Sequence, residues 1–117
     1  MIARIWQART RPGMGKPYLS YLRETGLKEY KATKGFKNVF VLTREIENTT
    51  EYVLVTLWEN MEAVKRFAGL EPERAVYYPE DDKYFAPEER SINVRHYEVD
   101  AEALNIATSR WSPSTNN

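Results

Sequence analysis

The sequence predicts an α+β domain in which one antiparallel sheet of four strands carries helices on a single face. Three observations lead there. Two strand-like runs, 36–47 and 52–58, flank turn chemistry at Asn48-Thr49-Thr50. Further strand-like runs precede the first helix-like segment and close the domain, and a second helix-like segment follows the hairpin, giving the order β-α-β-β-α-β. Finally, 117 residues are enough to bury one core and too few to divide into two.

Ile2 to Ala8 (IARIWQA) alternates as a strand, and Pro12-Gly13 supplies the turn that ends it. From Met14 to Tyr30 the apolar residues Met14, Tyr18, Tyr21, Leu22 and Tyr30 recur near a 3.6-residue period, which predicts one amphipathic helix. Pro17 falls in its first turn, where a missing N–H costs nothing. A basic connection, Lys31 to Lys37 with Gly35 inside it, leads into the hairpin. Asn60 is a good N-cap for a second helix, whose stripe of Ala63, Val64, Phe67 and Ala68 runs up to Gly69. Glu71 to Arg90 holds three prolines, the acidic run Glu80-Asp81-Asp82 and the aromatics Tyr77, Tyr78, Tyr84 and Phe85. It predicts a short helical turn and an irregular loop anchored by its rings. Ile92 to Val99 is the last strand. The domain therefore spans 1–100, and 101–117 form a polar tail in which Trp111 is a docking candidate. The right-handed crossover rule folds this order into a ferredoxin-like arrangement.

Composition excludes several classes of function. Seventeen basic residues balance seventeen acidic ones, so no basic excess invites nucleic acid. No apolar run approaches the roughly 18 residues that cross a bilayer, and the N-terminus lacks a signal-peptide layout, so the protein is expected in the cytoplasm, away from membranes. Without cysteine there are no thiolate metal sites, and a single histidine, His96, removes any site built on two imidazoles. Nucleotide-binding glycine motifs are missing, and no cofactor or metal is expected. The charge is nevertheless polarised: Met1 to Arg44 holds ten basic and two acidic residues, a net +8, and the remainder seven and fifteen, a net −8. Opposed signs meeting across the fold or between subunits account for this, with a basic docking surface as the alternative.

Sorting strand residues by parity separates two faces. Ala3, Ile5, Val39, Val41, Val53, Val55, Leu57 and Val99 form an almost purely aliphatic set. Arg4, Trp6, Arg44, Tyr52, Thr56, Trp58, His96 and Glu98 form the other, with Leu42, Ile46 and Leu54 among them. An exposed aliphatic sheet exceeds the patch a monomer tolerates, which predicts a homodimer packed through that face. The mixed wall strands polar groups if packed dry against helices, so it is expected to line a cavity.

The segments MIARIWQARTRPG, YLSYLRETGLKEY, LWENMEAVKRFAG, AVYYPED and VRHYEV together resemble the antibiotic biosynthesis monooxygenase family over residues 1 to 100. The resemblance implies a ferredoxin-like protomer pairing through its sheets into a dimeric α/β barrel, with a cavity between sheet and helices. It also implies, for the best-studied members, oxygen insertion into polycyclic phenols without metal or flavin, although relatives include haem-degrading enzymes, isomerases and decarboxylases. Trp58 matches the tryptophan closing the third strand, which commonly borders the cavity. Trp6 stands where haem-degrading relatives carry asparagine, and the second helix has no histidine to hold iron. Both departures count against haem. His96 and Tyr97 match the HYEV ending of one subgroup.

Candidate site residues follow from chemistry. His96 has the side chain whose unperturbed pKa suits proton abstraction near neutrality, the alternative being a structural strand histidine. Simple antiparallel pairing sets Arg4 opposite both His96 and Thr56, where its charge keeps the imidazole neutral; pairing with Glu98 is the competing role. Arg44 is suited to hold a phenolate, enolate or carboxylate, or else a surface carboxylate. Trp6 and Trp58 offer walls for a planar substrate or plain core packing. Phe67, Tyr77 and Tyr78 are expected to close the cavity from the helical side, one of the tyrosines donating a hydrogen bond. Glu80-Asp81-Asp82 is expected to be a solvated loop and not a metal site. The leading expectation is a cofactor-independent monooxygenase-like protein acting on a small planar aromatic or quinol. The alternatives are a noncatalytic ligand-binding or regulatory dimer, and an oxygen-independent isomerase or dehydratase.

Overall fold

The computed structural model describes residues 1–90 and 94–103. Its elements run β1 (Ile2–Arg9), α1 (Gly15–Glu24), α2 (Gly26–Ala32), β2 (Phe36–Ile46), β3 (Thr49–Trp58), α3 (Met61–Ala68), α4 (Asp81–Tyr84), α5 (Pro87–Arg90) and β4 (Arg95–Glu98). The strands are ordered β2-β3-β1-β4 and every neighbouring pair is antiparallel, the ferredoxin-like topology that the element order predicts.

Alternation decides what the sheet buries. Along β3 each even residue is buried and each odd one half-buried, because even side chains face the helices. Two aromatic-rich clusters fill that side. In one, Tyr18 and Leu22 of α1 pack on Ala8, Tyr52, Leu54 and Phe85. In the other, Ala63 and Val64 of α3 pack on Ile2, Tyr30 and Trp58.

Strand β2 breaks the parity, and this corrects the predicted faces. Phe36 pairs with Trp58 but Asn38 pairs with Leu57, so Lys37 is an extra residue in the ladder. A one-residue slip moves every later side chain to the opposite face. Val39 and Val41 therefore lie opposite Thr56 and Leu54 on the helical side, whereas Leu42, Arg44 and Ile46 lie opposite Val53, Glu51 and Thr49 on the open side. Phe40, Leu42 and Tyr97 are exposed at 48%, 49% and 51%. With Ala3, Ile5, Val53, Val55 and Leu57 half-buried beside them, they make the open face broad and apolar.

The predicted 14–30 helix is two helices. Thr25 leaves helical geometry at φ −119° and ψ −91°, and its hydroxyl donates to the Tyr21 carbonyl at 2.8 Å. Gly26 then starts α2 against Leu22, whose Cδ1 would lie 3.1 Å from any Cβ placed there. Helix α3 begins and ends as predicted: Asn60 Oδ1 accepts from the Ala63 N–H at 3.0 Å, and Gly69 takes φ +88°. In the loop that follows, Phe85 is buried against Trp6 and Tyr18, the expected ring anchor. Asp81 is not solvated with its acidic neighbours; it is buried, and its Oδ2 accepts from the Tyr78 N–H at 2.8 Å. Of the predicted 92–99 strand, Ile92 and Asn93 lie outside the described residues, as does the tail from 104 with Trp111. Among the described residues no helix is long and apolar enough to cross a membrane.

Candidate functional site

The sheet register places Arg4 across from Thr56 on one side and His96 on the other, as simple antiparallel pairing predicts. Position 4 faces the helices, so a guanidinium is carried into the interior at 4% exposure. Nη1 lies 3.0 Å from His96 Nε2 and also donates to the Pro72 carbonyl; Nη2 donates to the Arg74 carbonyl at 3.0 Å. The Phe67 ring centroid is 5.9 Å from Cζ, within cation–π range. Glu98 is not its partner: no carboxylate of the described residues forms an ion pair with Arg4. Burial lowers its pKa to about 10, which leaves it charged at neutral pH.

That contact fixes the state of His96. A guanidinium only donates, so Nε2 must accept and the ring proton sits on Nδ1. Burial first, and the Arg4 charge second, hold the imidazole below its usual pKa, against an opposing pull from Glu73. His96 is therefore a neutral imidazole at pH 7.

Beside Arg4 lies a cavity between sheet and helices, walled by Trp6, Tyr18, Leu22, Tyr30, Leu54, Phe67 and Tyr78, with Gly26, Val76 and Asp81 completing it. Its volume for the centres of water-sized molecules is about 30 Å³, room for about two waters. Two of its phenols are firmly protonated: burial pushes Tyr30 up to about 12 and Tyr18 well above its usual value. They offer hydroxyls but no anion. Tyr78 donates to Glu29 of α2, and burial, with that bond second, raises its pKa as well.

The predicted residues divide clearly. Arg4, Trp6, Phe67 and Tyr78 converge on the cavity, and His96 touches it through Arg4. Trp58 does not line it. Its indole is fully buried, donates to Thr56 Oγ1 at 2.7 Å, and packs against Tyr30, Phe36 and Phe67. Tyr77 is 42% exposed and stands outside the lining. Arg44 is on the open face, its Nη2 3.0 Å from Glu51 Oε1, because the Lys37 bulge turned it there. Leu54 lines the cavity as its place in the mixed wall predicts, whereas Tyr18, Leu22, Gly26, Tyr30, Val76 and Asp81 were not predicted as lining. The helix stripe carried a signal for Tyr18, Leu22 and Tyr30, while Asp81 was hidden inside a run of charges. Among the described residues no three His, Asp or Glu side chains converge as a metal site.

Fold and site together define a ferredoxin-like α+β protein with a small aromatic chamber ending on a buried arginine–histidine pair. No family model and no curated protein matches the chain. Among solved structures it is similar to the crystal structure of a MhuD mutant with two manganese protoporphyrin IX bound per active site. That match has a TM-score of 0.52 and 22% identity, and covers 86% of this chain and 95% of the other. A crystal structure of a candidate antibiotic biosynthesis monooxygenase from Bacillus cereus aligns at TM-score 0.44 and 22% identity, over 83% of this chain and 87% of the other. At this identity the first likeness is one of fold.

Proposed function

We propose that the chain is a cofactor-independent, monooxygenase-like enzyme acting on a small planar aromatic or quinol at the Arg4–His96 wall. The observation that carries this reading is the neutral imidazole held against a buried guanidinium at the end of an aromatic cavity. A neutral imidazole removes a proton from an activated C–H or phenol, and the adjacent cation stabilises the resulting enolate or phenolate. The carbanion passes one electron to dioxygen, the two radicals combine into a peroxide, and loss of water leaves a new carbonyl. For an anthrone the balance is one anthrone and one dioxygen to one anthraquinone and one water, so the substrate supplies all the electrons.

A porphyrin, which the MhuD structure holds, does not fit the residues here. Helix α3 has no histidine, and the single imidazole directs Nε2 at Arg4 and not at a metal position. No step runs through that group. The open apolar face supports the other half of the proposal, a homodimer joined through the sheets. Sedimentation is expected to show a dimer that Leu42→Arg converts to monomer; an unchanged dimer in that variant overturns this interface.

The test of activity is oxygen uptake by chelator-treated protein with anthrone, without flavin. Uptake with stoichiometric quinone is expected, and His96→Gln lowers kcat by about 100-fold or more. Equal turnover by the variant, or no uptake, overturns the reading. Noncatalytic binding is the second reading, favoured by one observation: Nε2, the basic atom, is occupied by Arg4.

A further inference from the structure

Arg4 presents an imbalance of charge. It is buried, yet among the described residues its donors go to uncharged acceptors: the Pro72 and Arg74 carbonyls and His96 Nε2. A desolvated cation without a counter-ion is held at a cost that a carboxylate partner would normally offset. Asp81, the one carboxylate lining the cavity, accepts from the Tyr78 N–H and makes no ion pair with Arg4. Glu73 is close enough to act on His96 but likewise makes no ion pair with Arg4.

The two carbonyls belong to residues 69–80, which contain no helix or strand and connect α3 to α4. This segment roofs the chamber with Val76 and Tyr78. None of its residues belongs to either hydrophobic cluster. Polar ties hold it: Arg4 to Pro72 and Arg74, Tyr78 to Glu29, the Glu80 N–H to Tyr21 Oη at 2.9 Å, and the Val94 N–H to the Glu73 carbonyl at 2.8 Å. A roof fastened by hydrogen bonds and not by a packed core opens readily.

No aromatic ring enters a space of about 30 Å³, so the roof must move before any ligand binds. Moving it strips two acceptors from Arg4. A neutral ring leaves the guanidinium short of partners. An anionic oxygen replaces them with charge-assisted bonds and supplies the absent counter-charge. We infer that residues 69–80 form a lid latched by Arg4, and that the ligand which opens it is an anionic aromatic whose carboxylate, phenolate or enolate oxygens displace the Pro72 and Arg74 carbonyls. The inference rests on the site reading above for where the ligand sits, but not on any reaction.

Calorimetry with three probes of one shape, 2-naphthoate, 2-naphthamide and 2-naphthylmethylammonium, tests it on the full chain. Naphthoate is expected to bind roughly tenfold or more tightly than the amide, with the ammonium weakest. Arg4→Gln removes the preference and Arg4→Lys keeps part of it. Amide hydrogen exchange across the lid speeds up with naphthoate and not with equal naphthamide. Equal affinities, no binding of naphthoate, a preference surviving in Arg4→Gln, or lid exchange unchanged by bound naphthoate each overturn the proposal. If Arg4→Gln fails to fold, the wild-type probe ratio and lid exchange decide it. Selective naphthoate binding without oxygen uptake defeats the monooxygenase reading alone, and uptake on a neutral quinol without anion preference defeats this one alone.

Discussion

Thr56 offers a measurement of how the site's strands are held. It is 2% exposed, and its Oγ1 accepts the indole N–H of Trp58 at 2.7 Å. That indole is fully buried, so the structure gives its N–H no other outlet. Thr56→Val keeps the branched shape and deletes the acceptor, stranding a buried donor at a cost of about 1–3 kcal/mol. The hydroxyl's own bond, to the Arg4 carbonyl, is long at 3.4 Å and adds little. Thr56→Ser is the control. It keeps the oxygen and loses one methyl, worth roughly 0.8 kcal/mol. The expected stability order is wild type, then Ser, then Val, with Val melting about 10 °C below wild type for a domain of this size. Urea unfolding followed by tryptophan emission at one fixed protein concentration reads the order directly. Thr56→Val as stable as Thr56→Ser would refute the claim that the indole depends on that hydroxyl.

Three further outcomes follow from local geometry. Gly35 sits at φ +95° with an added Cβ only 2.5 Å from Ala63 Cβ, whereas Gly13 sits at φ +74° with open space around it. Gly35→Ala is therefore expected to cost about 2–4 kcal/mol and Gly13→Ala about 1 kcal/mol in urea titrations. Asn60→Ala removes the cap on Ala63 and is expected to cost about 1 kcal/mol, visible as a lower midpoint with an unchanged slope. His96 gives a pH dependence: its pKa is depressed on folding from 6.5, so between the folded value and 6.5 the unfolded chain binds the proton more readily. Its contribution is present above 6.5 and lost as pH falls through that window; the wild-type profile should drop more steeply there than that of His96→Gln. Parallel profiles would remove it.

Legibility varied with how far each feature depends on its own neighbours in sequence. Strand β3 alternates without interruption, and its parity alone placed Leu54, Thr56 and Trp58 on the helical side. The Arg4 register opposite Thr56 and His96 needed only antiparallel pairing. The bulge at Lys37 left no mark, because a basic residue between Phe36 and Asn38 is equally at home in a regular exposed strand. Thr25-Gly26 did carry a break signal, but the period of Tyr18, Leu22 and Tyr30 continued across it, since α1 and α2 turn those residues toward the sheet and the cavity between its two clusters. Burial of Asp81 was illegible for a different reason. Its neighbours are charged, and its satisfaction depends on the Tyr78 main-chain N–H, a turn contact that composition does not report. Chamber size depends on side-chain rotamers and the path of residues 69–80, which no periodicity encodes.

The bulge links the two functional halves of the molecule. In an unbroken β2, Arg44 would share the helical face with Arg4, and Leu42 would go with it. The extra residue instead sends Val39 and Val41 inward, where they pack as plain aliphatic core against the clusters. It sends Phe40 and Leu42 outward to widen the apolar face. Arg44 then meets Glu51 on that outer face, where the exposed guanidinium sets a polar edge to the patch. The chamber is lined by one guanidinium, for which the described residues supply no ion pair. A single unpaired residue in one strand thus sets both the width of the apolar face and the side of the sheet that carries Arg44.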